Sequence, residues 1–376
     1  MVIGAGPAGS AAAYACSVVG LRTLIVEKGK FPRGKVCGGC LSPSGMASLT
    51  EMGLAQAVRR AATPIHSFVL WARGRSLVVR LEHQGVAVGR DVLDSKLLEH
   101  AVAHGATAWH GASATLVDEA SNGCRLSVSG GKVSEEVVGD VVVVADGLAG
   151  SFLPTEGHWR SRTAGRSYFG VGARLAGNEA RSLCKPGEIT MRCGSAGYFG
   201  AVQLSDGSID VAAALSPEKT RRLGGPGRAV RQLAIESGAS ADADALERAR
   251  WRGTPLLTRR RNVESDRIFV IGDAAGYVEP FTGEGMSWGL AAGLAVARHA
   301  HARLKRTYRS GEWTREWERL ARGRRSACRA TALALRSPTL VAAAIVVANA
   351  MPSVAAALSG AIGGPWRSGG SEPSRA

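Results

Sequence analysis

Val2-Ile3-Gly4-Ala5-Gly6-Pro7-Ala8-Gly9, followed by an apolar stretch from Ser10 to Gly20, reads as a strand, a glycine turn and a helix. That is the setting in which a dinucleotide fingerprint works. Gly4, Gly6 and Gly9 let the backbone turn tightly and approach a pyrophosphate, whose charge rests on the positive end of the helix dipole. The second strand, Arg22-Thr23-Leu24-Ile25-Val26, ends in Glu27, 18 residues after Gly9. A carboxylate there accepts hydrogen bonds from both ribose hydroxyls and opposes a 2′-phosphate, which points to FAD or NAD rather than NADP. Only three residues precede Gly4, whereas a central strand normally has about five or six. The native start is therefore expected upstream of Met1.

The rest of the chain is long enough to surround such a turn with a sizeable core. Its 376 residues are 45% apolar and 21% charged, which excludes a disordered chain and a small disulfide-stapled scaffold. The net charge of +16 comes from 47 basic against 31 acidic residues, and it permits an acidic partner without naming one. Aromatic content of 5% is poor material for base stacking, which sets nucleic acid behind other partners. Seven cysteines scattered over the chain, with no apolar leader, favour a reduced, cytoplasmic setting. The longest apolar run, Leu340 to Ala348, is too short for a bilayer crossing.

Three later segments separate FAD from NAD. Asp266 to Gly276 is a buried strand ending in Gly272-Asp273, followed by Glu279-Pro280-Phe281-Thr282-Gly283-Glu284-Gly285-Met286 and a small-residue helix. An Asp at that strand end can hydrogen-bond a ribityl chain, and the helix start can stabilise negative charge on a reduced isoalloxazine. Val141 to Val144 leads into Asp146-Gly147, and Arg90 to Leu98 starts a helix beside the cofactor.

Together these segments resemble the flavoprotein family of para-hydroxybenzoate hydroxylase and, more closely, geranylgeranyl reductase. The closer likeness rests on Phe31-Pro32-Arg33-Gly34-Lys35-Val36-Cys37-Gly38-Gly39-Cys40, similar to the reductases' Pro-Arg-x-Lys-x-Cys-Gly-Gly loop. The resemblance implies that Ala8 lines the pyrophosphate turn and that Glu27 holds the adenosine ribose. It places Arg33, Lys35, Cys37, Gly38 and Cys40 along the cofactor and Arg90 against its pyrophosphate or ribityl chain. Ala114 falls where the family's backbone contacts adenine. Asp146 and Gly147 support the site, and Gly272, Asp273, Pro280, Gly283, Gly285 and Met286 meet the ribityl chain and ring. Tyr198 and Phe281 are candidates for the substrate pocket.

The implied activity is that of an FAD oxidoreductase acting on a hydrophobic small molecule, isoprenoid- or polyketide-like. NAD(P)H is the expected transient donor, since the chain has one dinucleotide fingerprint. Hydroxylation and saturation of a carbon–carbon double bond both remain open. The reductases' Tyr-x-Trp-x-Phe-Pro signature is reduced here to Tyr198, with Gly200 in place of Trp and Val202-Gln203 in place of Phe-Pro. The Trp-x-Trp-x-Ile-Pro stretch of flavin-dependent halogenases is missing. A rival reading is a basic membrane- or nucleic-acid-binding flavoprotein whose FAD is structural or sensory.

Several features have plainer readings beside the sharp ones. Cys37 and Cys40 read as a cofactor-lining loop ahead of a redox dithiol, and no second Cys or His pair has metal-ligand spacing. Tyr198 reads as core ahead of substrate contact, and Glu284 as a helix-start residue. The segment Arg303 to Arg329 carries ten basic and three acidic residues, whereas Ser337 to Trp366 carries no charge. Helices capping the substrate domain are the favoured reading of 306–362, and peripheral contact of 303–366 with an anionic membrane is the alternative.

The expected fold is α/β: a Rossmann-like FAD-binding domain split in sequence (1–64, 88–162, 250–305) with an inserted antiparallel β-sheet substrate domain (65–87, 163–249). C-terminal helices (306–362) and a flexible tail (363–376) complete it. The alternating stretches Ser67–Ala72, Ser76–Leu81 and Tyr168–Leu215 supply the strands of that sheet.

Overall fold

A computed structural model of the chain describes residues 1–130, 133–279, 284–351 and 353. In chain order the first elements are β1 (Val2–Ile3), α1 (Pro7–Val18), β2 (Leu24–Glu27), β3 (Cys40–Leu41), α2 (Pro43–Glu51) and α3 (Ala55–Arg59). The hairpin β4 (Thr63–Ala72) and β5 (Arg75–Ala87) precedes α4 (Arg90–Ala103) and β6 (Thr107–His110). A meander of β7 (Ser113–Ala120), β8 (Gly123–Gly130) and β9 (Val133–Gly139) leads to β10 (Val142–Val144). Beyond β11 (Arg162–Thr163) run β12 (Phe169–Leu175), β13 (Glu188–Gly194), β14 (Gly197–Gln203) and β15 (Ile209–Leu215). They are followed by α5 (Pro217–Arg222), α6 (Pro226–Ser237) and α7 (Ala243–Arg248). The last strands are β16 (Arg252–Leu256), β17 (Arg259–Arg260), β18 (Ile268–Val270) and β19 (Gly276–Tyr277), and the last helices α8 (Glu284–Leu304), α9 (Glu312–Leu335) and α10 (Pro338–Ala350).

Five strands form a parallel sheet in the order β18-β10-β1-β2-β6. Its central strands are continuous apolar runs because both of their faces are covered. Val142, Val144, Ile268 and Val270 are fully buried. Helices α1 and α8 lie close together over this sheet. A Cβ at Gly293 would overlap the Ala8 carbonyl oxygen, so only glycine permits that approach.

The second sheet has eight strands in the order β16-β12-β15-β14-β13-β4-β5-β3. It departs from the expectation in two ways. One joint, β13 beside β4, is parallel, where the two inserted segments meet. The outermost strands, β3 and β16, come from residues expected in the FAD domain, so the cofactor loop and the stretch after Ala249 are stitched directly into the substrate sheet.

Alternation along β14 sets the two faces of this sheet. Phe199 and Ala201 join the cluster of Val230, Leu233 and Ala234 on α6. Tyr198 joins the cluster on the opposite side, with Phe68, Met191, Leu257 and the α10 residues Val341, Ala342, Ile345 and Ala348. Those four α10 positions recur at helical spacing and make one apolar stripe, so α10 caps the second sheet. The start of α9 instead docks on the parallel sheet, where buried Trp313 donates from Nε1 to the Val270 carbonyl at 3.1 Å. No single helix among the described residues is long and apolar enough to cross a membrane. Cys328–Leu335 and Pro338–Ala350 reach that hydropathy only as a pair bent by 105°.

Candidate functional site

The glycine turn between β1 and α1 begins the site. Gly4 has φ +97°, and a Cβ at Gly9 would overlap the Gly4 carbonyl oxygen, so both positions need glycine for the chain to close so sharply. The turn is held from β2. Glu27, buried at the strand end, accepts from Ala5 N through Oε2 and from Gly29 N through Oε1, both at 2.8 Å. Arg33 lies on the same carboxylate at 3.1 Å and reaches Asp94 at 3.2 Å. It is thus committed to these two carboxylates. Arg90 does stand beside the turn: its Nη2 is 3.5 Å from where a Gly6 Cβ would be, and Asp94 aligns it through bonds of 2.8 and 2.7 Å.

Gly6, Ala8, Lys35, Arg90, Gly147, Gly272, Asp273, Gly285 and Met286 border one narrow cleft over the N-terminus of α1. Lys35, Arg90, Asp273, Gly285 and Met286 also border a second, larger cavity of about 280 Å³. Cys37, Gly38, Cys40 and Tyr198 line that cavity too. Sequence reasoning therefore identified residues that the fold gathers around two adjoining spaces with a shared wall. Ala114 lies elsewhere, half-buried on β7 and bordering neither cleft. Pro280, Phe281 and Gly283 fall outside the described residues.

Electrostatics around the shared wall are unusual for so buried a place. Burial pushes the Lys35 ammonium below its usual range, with the neighbouring Arg90 charge adding to the effect and Asp273 and Asp94 opposing it. Asp273 is pushed up by burial, with Lys35 and Arg90 opposing the shift. Asp146 is likewise raised by burial; Phe152 N donates to its Oδ2 at 3.0 Å, while Oδ1 has no hydrogen bond among the described residues. Cys37 and Cys40 are free thiols, held neutral by burial.

The larger cavity is lined mainly by small and apolar groups from the second sheet, including Gly170, Val171, Met191, Gly200 and Ala212 to Ala214. At one end stands a polar network that sequence reasoning missed. Tyr198 donates to Glu279 Oε2 at 3.0 Å, and Arg336 holds Oε1 at 2.7 Å while packing over the Tyr168 ring at 4.0 Å. Burial, with Glu279 next in weight, keeps the Tyr198 phenol neutral well beyond its ordinary pKa. Tyr277 lines the cavity beside them and is raised for similar reasons. Glu279 was visible in its motif, but nothing local tied it to Arg336, 57 residues away.

A flavin dinucleotide fits this arrangement. The glycine cradle and α1 N-terminus match a pyrophosphate, the Glu27 carboxylate matches a ribose, and the start of α8 faces the place where the two clefts join. Known proteins agree. Residues 1–325 match the family described as FAD binding domain. Menaquinone reductase from Mycobacterium tuberculosis is 29% identical over 326 residues, covering 79% of this chain and 75% of that protein. Digeranylgeranylglycerophospholipid reductase 2 from Methanopyrus kandleri is 26% identical over 329 residues, covering 85% and 80%. Among solved structures, a flavoprotein/dehydrogenase from Cytophaga hutchinsonii superposes with a TM-score of 0.78 at 18% identity, over 96% of this chain and 92% of that one. A flavin-dependent brominase reaches 0.80 at 17% identity over 97% and 95%; at such identity the likeness concerns the fold. The chain belongs to the FAD-binding-domain family and is an FAD-dependent oxidoreductase.

Proposed function

We propose that the chain reduces a lipophilic small molecule in the larger cavity, with electrons that come from NAD(P)H. The observation that carries this reading is the shared wall: Lys35, Arg90, Asp273, Gly285 and Met286 border both the nucleotide cleft and the apolar cavity. A substrate in the cavity would lie against the reactive part of the cofactor with water largely excluded. Bound FAD supplies the hydride chemistry. The chain's own share is to bind, orient and supply charge.

The glycine turn and α1 would hold the pyrophosphate, Glu27 the adenosine ribose and Asp273 the ribityl chain. Lys35, which borders both clefts, would set a buried positive charge beside the bound cofactor and so lower the cost of negative charge gained on reduction in a dry site. Tyr198, neutral and fixed by Glu279, offers an oriented hydroxyl to a substrate polar group. The names of the two relatives, one a menaquinone reductase and the other a phospholipid reductase with isoprenoid chains, favour reduction over hydroxylation and a quinone- or isoprenoid-bearing substrate. A substrate of that kind would arrive from a bilayer surface on which the outer face of α10 rests.

Anaerobic turnover tests the reading. FAD-loaded chain is given NADPH and either menaquinone or an unsaturated isoprenoid lipid under strict exclusion of oxygen. Reduced product formed without oxygen supports the proposal. Product that appears only with oxygen and carries a new hydroxyl overturns it.

A further inference from the structure

The polar side chains that border the larger cavity but not the nucleotide cleft are Cys37, Cys40, Tyr198, Thr254, Tyr277 and Glu279. Where their protons go decides what this end of the cavity can recognise, because an alcohol or phenol has one hydrogen to give and a carboxylate has none. Thr254 donates to the Pro255 carbonyl at 2.9 Å, while its oxygen takes the Gly170 N–H at 3.0 Å. The Cys40 thiol donates to the Gly38 carbonyl at 3.3 Å. Tyr198 gives its hydrogen to Glu279 Oε2 at 3.0 Å. Strand β14, which carries Tyr198, is paired with β13 on one side and β15 on the other, so its backbone is spent within the sheet.

The Tyr198–Glu279 pair therefore turns acceptors toward the cavity. Tyr198 Oη keeps its lone pairs, and each Glu279 oxygen already holds one donor but can take a second. The Tyr277 hydroxyl can turn either way. Arg336 lies 2.7 Å from Glu279 Oε1, so the carboxylate is already paired and holds no uncompensated charge for an ammonium. The group that suits this end is uncharged and has a hydrogen to donate. Glu279 is 1% exposed and Tyr198 5% exposed, so a guest meets them in dry surroundings, where two acceptors set against each other are costly.

We propose that Tyr198 Oη, its own proton fixed on Glu279, accepts a hydrogen bond from an uncharged hydroxyl of the substrate, so that the cavity selects a lipophilic alcohol or phenol. This deepens the reading of the cavity as the substrate site and rests on it. An ether or carbonyl oxygen in the same place faces the Tyr198 lone pairs. Tyr198 touches the substrate; Glu279 is a positioning residue, because it sets the direction in which the Tyr198 hydrogen points.

The full FAD-loaded chain, with no reductant present, is titrated by calorimetry with farnesol, with farnesyl methyl ether and with the hydrocarbon farnesene. Farnesol is expected to bind the wild type about tenfold more tightly than the other two, the worth of one buried hydrogen bond. In Tyr198→Phe farnesol falls to the affinity of the ether, while the ether and farnesene bind as before, which a folding defect would not allow. Glu279→Gln supplies a second, nearly isosteric test. Its amide can donate to Tyr198 Oη and free the phenol hydrogen for the cavity, so the ether gains on farnesol and the preference shrinks severalfold. Flavin absorbance retained in both variants shows that the cofactor site is intact; if Tyr198→Phe loses its flavin, Glu279→Gln decides alone. The proposal is overturned if no probe binds the wild type or if the ether or farnesene binds as tightly as farnesol. It is equally overturned if flavin-loaded Tyr198→Phe keeps the preference, or if Glu279→Gln leaves it unchanged. A chain that prefers farnesol but yields no reduced lipid in the anaerobic assay refutes the function proposed above instead, and one that reduces lipid without that preference refutes only the role of Tyr198.

Discussion

Replacing Arg336 with Met removes the cation that holds a buried carboxylate at the edge of the cavity. Glu279 is only 1% exposed, and its two oxygens are occupied by Arg336 at 2.7 Å and by Tyr198 at 3.0 Å. Stripping one partner from a buried ion pair costs about 3–5 kcal/mol, mostly because a charge is left behind without compensation. The Arg336 side chain is 18% exposed, so water reaches that end of the pair, and the lower figure of about 3 kcal/mol applies. Glu279→Gln in the same background removes the stranded charge, and the double variant is expected to recover about 2 kcal/mol of coupling. Urea unfolding of the wild type, both single variants and the double variant at pH 7, followed by circular dichroism, measures the cycle. A loss under about 1 kcal/mol for Arg336→Met, or single losses that simply add, would refute the picture of a buried, charge-compensated network.

Gly9→Ala is expected to abolish copurification of FAD, read from the ratio of 450 nm to 280 nm absorbance, because its Cβ would overlap the Gly4 carbonyl oxygen; retained flavin would argue against the tight turn. Cys193 has its thiol pushed up to about 12 by burial, from an ordinary value near 9. The unfolded chain therefore gives up this proton first, and the stability associated with it is complete below pH 9 and is lost as pH rises toward 12, by about 1.4 kcal/mol already at pH 10. Cys193→Ala should flatten the alkaline limb of a stability–pH curve, and an unchanged slope would count against it. The outward residues Leu340, Val346, Val347 and Met351 on and after α10 are exposed. Cosedimentation with anionic vesicles is expected for the wild type and severalfold less for Leu340→Glu/Val347→Glu; equal sedimentation of both would exclude that face as the contact.

Much of this protein was legible because its motifs are local. The glycine turn, Glu27 at the end of β2 and Gly272-Asp273 after β18 depend on a few consecutive residues whose backbone geometry follows from residue type. The hairpin of β4 and β5 was visible in the alternation of Phe68, Leu70, Leu77 and Val79. Other features depend on register and could not be read. The parallel joint of β13 with β4, the use of Cys40–Leu41 and Arg252–Leu256 as outer strands and the opposition of Arg162 to Arg260 each pair segments far apart in the chain. Arg33 shows the same limit: its pairing with both Glu27 and Asp94 depends on the fold and could not be read from its motif.

Residue order alone determined the cofactor class, since a pyrophosphate turn and its flanking carboxylates are short-range constructions in which glycine conformation and strand ends are written directly. Tertiary structure decided what surrounds that cofactor. The size and lining of the cavity and the pairing of Glu279 with Arg336 arise from long-range packing and charge placement. Burial and distance, on which both effects depend, are properties of the folded chain rather than of any stretch of sequence.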